Sequence, residues 1–286
     1  MPLRFAVCNE LFGSTSLANT CAAVREIGYE GIEIAPFTLA ENPIHLTVAE
    51  RASIRQEIET HHLQFVGLHW LLAAPKGLHV TAPDKDIRKL SWKFLASLID
   101  LCADLRGPRA ESAAVMVFGS PQQRSAIAPV TPKEAAQIMT EGLASLAPQA
   151  YERGVQILVE PLSKSQTDVI TSLAEAVAIV EQIGSPAIQT MFDVHNAVDE
   201  TLPHPQLIER FLPHIRHVHV NEMDGREPGT ADYDFGALLT TLEYLNYSGW
   251  VSLEAFDFSR DSRQIAAGAL QHLQAVLPSN STVQEL

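Results

Sequence analysis

The sequence predicts a single-domain α/β protein, a (β/α)8 TIM barrel. Two patterns lead there: short apolar, β-branched runs recur eight times, and segments of helical period fill the gaps between them. Near-continuous apolar runs fit parallel strands buried on both faces better than half-exposed strands. A third observation separates the barrel from an open doubly wound sheet. The segment after the first run, CNELFGSTS, holds one glycine and no GxGxxG, the phosphate loop such sheets usually carry there. Right-handed β–α crossovers repeated eight times close on themselves.

The elements follow in order. RFAVCN (4–9) precedes a helix over 16–27, and GIEIAPF (31–37) precedes one over 47–61. QFVGLHW (64–70) leads to a helix over 87–105, where Ile87, Leu90, Phe94, Leu98, Leu101, Cys102 and Leu105 form one apolar stripe. AAVMVFG (113–119) leads to 133–152, and VQILVEP (155–161) to 171–183, where Ser172 and Glu175 have capping-box spacing. IQTMFDV (188–194), IRHVHVNE (215–222) and WVSLEAF (250–256) precede helices over 204–212, 235–245 and 261–276. Glycines in REIGYEGIEI, YERGVQIL and YLNYSGWVSL stand where a helix must stop before the next strand. The barrel is expected to span 1–277, with the polar PSNSTVQEL (278–286) as a fraying tail. Segments 71–86 and 119–132 are long enough to act as lids.

Composition narrows the function classes. A 46% apolar and 19% charged chain builds a core, and a net charge of −14 repels phosphate backbones, so no nucleic-acid partner is expected. Cys8, Cys21 and Cys102 form neither a disulfide framework nor a CxxC zinc motif, which points to a reducing, cytoplasmic setting. The first residues do not read as a signal peptide, and no apolar run nears the roughly 18 residues of a membrane helix.

Chemistry in such a barrel sits where strands end. Glu160, Asp193, His219 and Glu254 close the fifth to eighth strands, at steps of 33, 26 and 35 residues, each about one βα unit. Crowded carboxylates repel one another, and a divalent cation resolves the conflict. Three oxygen donors with one imidazole suit Mn²⁺ or Mg²⁺ first, with Co²⁺ or Zn²⁺ also compatible. The bland alternative is four unrelated strand-end groups, each capping a helix or pairing with an arginine.

ILVEPL with Glu160, MFDVHNA with Asp193, HVHVNE with His219, SLEAF with Glu254, and GYEGIEI near the start resemble the xylose isomerase-like TIM-barrel superfamily, the sugar phosphate isomerase/epimerase group that includes ketose 3-epimerases. The resemblance covers nearly the whole chain. It implies a metal-dependent sugar isomerase or epimerase acting on a small sugar or keto-sugar. Glu160 and Glu254 would be both metal ligands and the two catalytic groups that remove and return a proton alpha to a carbonyl, through an enediolate-like intermediate. It also implies a homodimer.

The same resemblance marks Arg226 as a substrate contact, against a surface arginine paired with Glu222 or Asp224. His195, two residues after Asp193, is expected to contact the substrate or to support the residues that do, against a surface histidine, whereas relatives place a histidine at the third position, here Asn196. Gln166 stands where ketose 3-epimerases tend to carry an acid, so the pocket should recognise something different. His69 and Trp70 close the third strand, one able to bind substrate and the other to stack on a sugar's C–H face. Glu33 and Asn9 are weaker candidates, since inward residues there can simply fill the barrel. His217, one pleat deeper than His219, supports the site or hydrogen-bonds within the barrel. His204 and His214 read as surface residues and Cys8 as a small buried hydrophobe. Competing functions are a cyclitol (inosose) or dehydroshikimate dehydratase on the same scaffold, a metal-free sugar-binding protein, and a DNA-repair endonuclease, the last disfavoured by the acidic charge.

Overall fold

Eight parallel strands are hydrogen-bonded in sequence order, and β8 pairs back to β1 to close the sheet. The structure is a computed structural model that describes residues 2–277 except 109 and 111, so the expected tail at 278–286 lies outside the described residues. The strands are β1 (Arg4–Cys8), β2 (Gly31–Ile34), β3 (Gln64–Leu68), β4 (Ala114–Phe118), β5 (Val155–Val159), β6 (Ile188–Asp193), β7 (Ile215–Val220) and β8 (Trp250–Leu253). The helices are α1 (Leu17–Ile27), α2 (Val48–Thr60), α3 (Lys85–Arg106), α4 (Pro132–Arg153), α5 (Leu173–Ile183), α6 (His204–Phe211), α7 (Phe235–Tyr244) and α8 (Ser262–Val276). Each expected strand and helix is present, and most strands stop one to three residues short of the apolar run that announced them. The surplus residues start the loops at the barrel mouth.

Two hydrophobic layers follow from strand alternation. The large core lies between sheet and helices and includes Phe5, Val7, Ile32, Ile34, Leu68, Met116, Ile157 and Val218. The inward residues Ala6, Val66, Val115, Val117, Leu158, Met191 and Trp250 fill the barrel interior. Gly31 makes room for that filling, since a Cβ there would lie 2.8 Å from the Trp250 ring. Above the apolar plug the inward positions turn polar: Cys8, Glu33, His217, His219 and Ser252 are fully buried. The strand register slips between Ile32 and Glu33 in β2 and between Thr190 and Phe192 in β6. Such irregularities re-aim the side chains that follow them, here Glu33 and Asp193.

The helices start on hydrogen-bonding caps. Thr47–Glu50 and Thr131–Glu134 are full capping boxes on α2 and α4. At α5 Ser172 accepts from the Glu175 backbone, but the Glu175 carboxylate reaches the backbone N–H of Thr171 at 2.6 Å instead of closing on Ser172. The long loops after β3 and β4 are pinned to each other. The Val80 N–H donates to the Gln123 carbonyl at 2.8 Å and the Thr81 hydroxyl to the Arg124 carbonyl at 2.9 Å, while Leu71, Leu72 and Val80 are buried. No described helix is long and apolar enough to cross a membrane.

Candidate metal centre

Glu160, Asp193, His219 and Glu254 each offer one donor atom, and the four atoms lie within 4.8 Å of one another. Glu160 and Glu254 directly follow β5 and β8, Asp193 ends β6, and His219 lies near the end of β7. Strand pairing places Asp193 beside His219. All four are buried, with relative exposures of 5%, 2%, 0% and 4%.

Each carboxylate is held by a donor on one side. The Asn196 side chain donates to Glu160 Oε1 at 3.0 Å, and its backbone N–H donates to Asp193 Oδ1 at 2.7 Å. The Trp70 indole N–H donates to Glu254 Oε1 at 2.8 Å. Asn221 donates to Asp193 Oδ2 at 3.3 Å and to the Glu254 carbonyl at 3.1 Å, tying β7 to β8. Gly119, just after β4, leaves space for the remaining Glu160 oxygen: a Cβ at that position would stand 2.1 Å from Oε2.

The electrostatics are those of a site short of positive charge. Burial, then the Glu254 and Asp193 carboxylates, push the Glu160 carboxyl up to about 8. Burial also opposes ionisation of Glu254, but the adjacent His219 outweighs it and holds Glu254 below the usual range. Burial disfavours a charged His219, yet Glu33 and Glu254 overcome it and raise that imidazole well above its usual value. His219 Nδ1 lies 3.0 Å from Glu254 Oε2 and 3.6 Å from Asp193 Oδ2, yet makes no hydrogen bond. A buried imidazole nitrogen without a hydrogen-bond partner, facing two carboxylates in a cluster that also holds Glu160, fits a divalent cation.

A cavity of about 310 Å³ opens beside this group and is lined by Glu160, Glu254, His69, Trp70, Gln166 and Phe256, together with Gly119–Gln123 and two apolar residues. Trp70 sits between two aromatic rings, 5.9 Å from Phe37 and 6.3 Å from Phe256, centroid to centroid. Its backbone φ of 52° is in the left-handed region, a strained setting for a bulky residue. Gln166 donates to the Asn196 side-chain oxygen Oδ1 at 2.6 Å, so Gln166, Asn196 and Glu160 form one chain of contacts. His69 is fully buried, bonded to Glu10 at 2.7 Å through Nε2.

The other expected residues fall elsewhere. Arg226 is exposed and pairs with Asp224 at 2.7 Å, and it does not line the cavity. His195 also stands outside the lining; its Nδ1 meets the Met223 carbonyl at 2.8 Å and its ring packs on Phe256, 5.4 Å away. His204 is half-buried, against the expectation of a surface residue, because Nδ1 meets the Tyr233 hydroxyl at 2.8 Å. Glu33 does more than fill the barrel: it contacts three imidazoles. Asn221 carried a usable signal, since it lies two residues after His219 on the inward side. Arg124 carried none. It is fully buried, and its guanidinium donates to the carbonyls of Glu160 at 2.7 Å, Ile170 at 3.0 Å and Phe118 at 3.3 Å.

The chain is similar along most of its length to a probable ketose 3-epimerase of Synechocystis sp., at 24% identity over 90% of this chain and 84% of that one. It is 21% identical to the fructoselysine 3-epimerase of Shigella flexneri, over 89% of this chain and 91% of that protein. Among solved structures, D-psicose 3-epimerase from Clostridium cellulolyticum H10 with D-tagatose superposes with a TM-score of 0.83 at 17% identity, covering 97% of this chain and 100% of that one. The model of the xylose isomerase-like TIM barrel family matches residues 21–276. That match takes in all of β2 to β8 and the four clustered donors, and the chain belongs to the xylose isomerase-like TIM barrel family.

Proposed function

We propose that this protein is a divalent-metal-dependent sugar epimerase that moves a proton on the carbon alpha to a substrate carbonyl. The observation that carries the reading is the convergence of three buried carboxylates and one buried histidine, whose unbonded Nδ1 faces Glu254 and Asp193, at the wall of a sugar-sized cavity. Glu160, Asp193, His219 and Glu254 would hold the ion, and the oxygen-rich set favours Mn²⁺ or Mg²⁺ over Co²⁺ or Zn²⁺. A divalent ion bound there supplies positive charge against which a substrate carbonyl oxygen can gain electron density.

The protein's own groups do the rest. Glu160 and Glu254 both reach the cavity wall, from β5 and β8. One accepts the proton from one face of the alpha carbon, and the other returns a proton to the opposite face. The roles exchange for the reverse epimer. Trp70 and Asn196 fix the orientation of these carboxylates through the hydrogen bonds to Glu254 and Glu160. Trp70 and Phe256 offer flat apolar faces to substrate C–H groups, and Gln166 offers a neutral amide to hydroxyls. The names of the relatives support a ketose as the substrate class.

The test is solvent exchange. Mn²⁺-loaded protein incubated in D₂O with a panel of ketoses is expected to place deuterium alpha to the carbonyl of at least one. Glu160→Gln and Glu254→Gln should each lower that exchange by about 10²-fold or more. Exchange that persists unchanged in both variants rules out the two-carboxylate scheme. Loss of water from the product would transfer the protein to the dehydratase class.

A further inference from the structure

Directly beneath the donor set lies a buried carboxylate that the proposed reaction does not use. Glu33, on β2, is fully buried, as are the three histidines around it. His217 Nε2 lies 2.8 Å from Glu33 Oε2, and His219 Nε2 lies 3.2 Å from Oε1 and 3.3 Å from Oε2. His69 Nδ1 is 3.5 Å from Oε1. The strand register slips just before Glu33, and the carboxylate meets a ring just after β3 (His69) and two on β7 (His217 and His219).

The chemistry of these contacts fixes a proton. An ionised carboxylate only accepts, so an imidazole that hydrogen-bonds to it through Nε2 carries hydrogen on that atom. In a neutral imidazole the lone pair then sits on the other nitrogen. For His219 that nitrogen is Nδ1, the atom that faces Glu254 and Asp193 without a hydrogen bond. His217, two residues earlier on the same strand, uses its own Nε2–H to brace the carboxylate from the side.

We propose that Glu33 is a positioning residue for the metal centre: it holds His219 as the Nε2–H tautomer and so presents Nδ1, lone pair outward, to the cation site. This rests on the metal reading above and adds a member the sequence marked only weakly. Carboxylate–histidine–metal chains of this kind orient the ring and raise its basicity, and their loss costs about 10–100-fold in affinity.

The experiment is a Mn²⁺ titration of the full chain, followed by the loss of the free-ion EPR signal. Glu33→Gln removes the charge and replaces one accepting oxygen with an amide NH₂ that only donates, so the two Nε2–H groups lose acceptor capacity. The Mn²⁺ dissociation constant is expected to rise about 10–100-fold. Glu33→Asp, which keeps a carboxylate on a shorter arm, should recover part of that loss. His217→Gln, which removes one donor to Glu33 but leaves the Glu33–His219 contact, should lose less affinity than Glu33→Gln. In the Zn²⁺-loaded protein, ¹⁵N-histidine NMR should show a slowly exchanging Nε2–H on His219 that Glu33→Gln loses. Unchanged Mn²⁺ affinity in Glu33→Gln overturns the proposal, as does a variant that merely melts earlier without its metal. If Glu33→Gln does not fold, the ordering of wild type above Glu33→Asp decides the question in the same way. Wild-type protein that takes up no Mn²⁺ overturns the metal reading itself, a result distinct from binding that is indifferent to residue 33.

Discussion

Glu160 carries the clearest sign of what the site calls for. Without a cation its carboxyl is pushed up to about 8, by burial first and by Glu254 and Asp193 next, against an ordinary 4.5. A folded-state value above the unfolded one means the group favours folding at low pH. That contribution is full below about 4.5 and is lost as pH rises toward about 8. A bound cation supplies the missing partner at high pH and competes with the proton at low pH. Thermal melts with and without Mn²⁺ should therefore show a larger metal-induced rise in Tm at pH 8 than at pH 6, and an equal rise would contradict this account of Glu160. Gly119 gives a second test at the same carboxylate. A Cβ there would stand 2.1 Å from Glu160 Oε2, so Gly119→Ala must displace the ligand. Calorimetry should register a fall in Mn²⁺ affinity of about tenfold or more, the scale seen when support for a ligand is lost. At this scale the sequence was legible where strand endings carry a polar residue: Glu160, Asp193, His219 and Glu254 do meet. It was opaque for Glu33, because an inward acid on β2 looks the same whether it fills space or accepts from His217 and His219. For Arg226 the sequence offered two readings, a substrate contact or a surface pair, and the guanidinium meets Asp224 two residues away, the second of them.

At the scale of elements, the alternation of apolar runs and helical stripes was enough to place every strand and helix, because a buried parallel strand and an amphipathic helix each need their own period. Loops obey no such period, and they hold most of what the sequence did not announce. The segments after β3 and β4, read as lids, are knitted together through Val80, Thr81, Gln123 and Arg124. Arg124 is the pin: it ties the β4 and β5 ends and the start of α5 by donating to the carbonyls of Phe118, Glu160 and Ile170. Burying a guanidinium is costly, and burial lowers its pKa to about 10 even beside Glu160. Removing it leaves buried carbonyls without donors. Arg124→Ala is expected to lose about 3–5 kcal/mol, read from urea unfolding, because the cost falls on partners left unpaired. A loss below about 1 kcal/mol, the net worth of one ordinary hydrogen bond, would mean the loops hold without the pin.

For the molecule as a whole, closing the sheet converts a one-dimensional spacing into a three-dimensional site. Steps of 33, 26 and 35 residues separate four side chains along the chain, and closure gathers their donor atoms within 4.8 Å. Four adjacent strands, β5 to β8, and their ends supply the donors, while β4 and the loops after β3, β4, β5 and β8 supply the wall that a substrate would meet. The aromatic contacts of Trp70 with Phe37 and Phe256 join loops from β2, β3 and β8 over the same mouth. The central claim is that this arrangement is a divalent-metal site. Elemental analysis after equilibration with excess Mn²⁺ and removal of free ion tests it most directly. The wild-type chain should retain about one equivalent, and folded Asp193→Ala should retain almost none, since removing one of four ligands opens the site. Folded wild type that retains no Mn²⁺, or Asp193→Ala that retains as much as wild type, would contradict it.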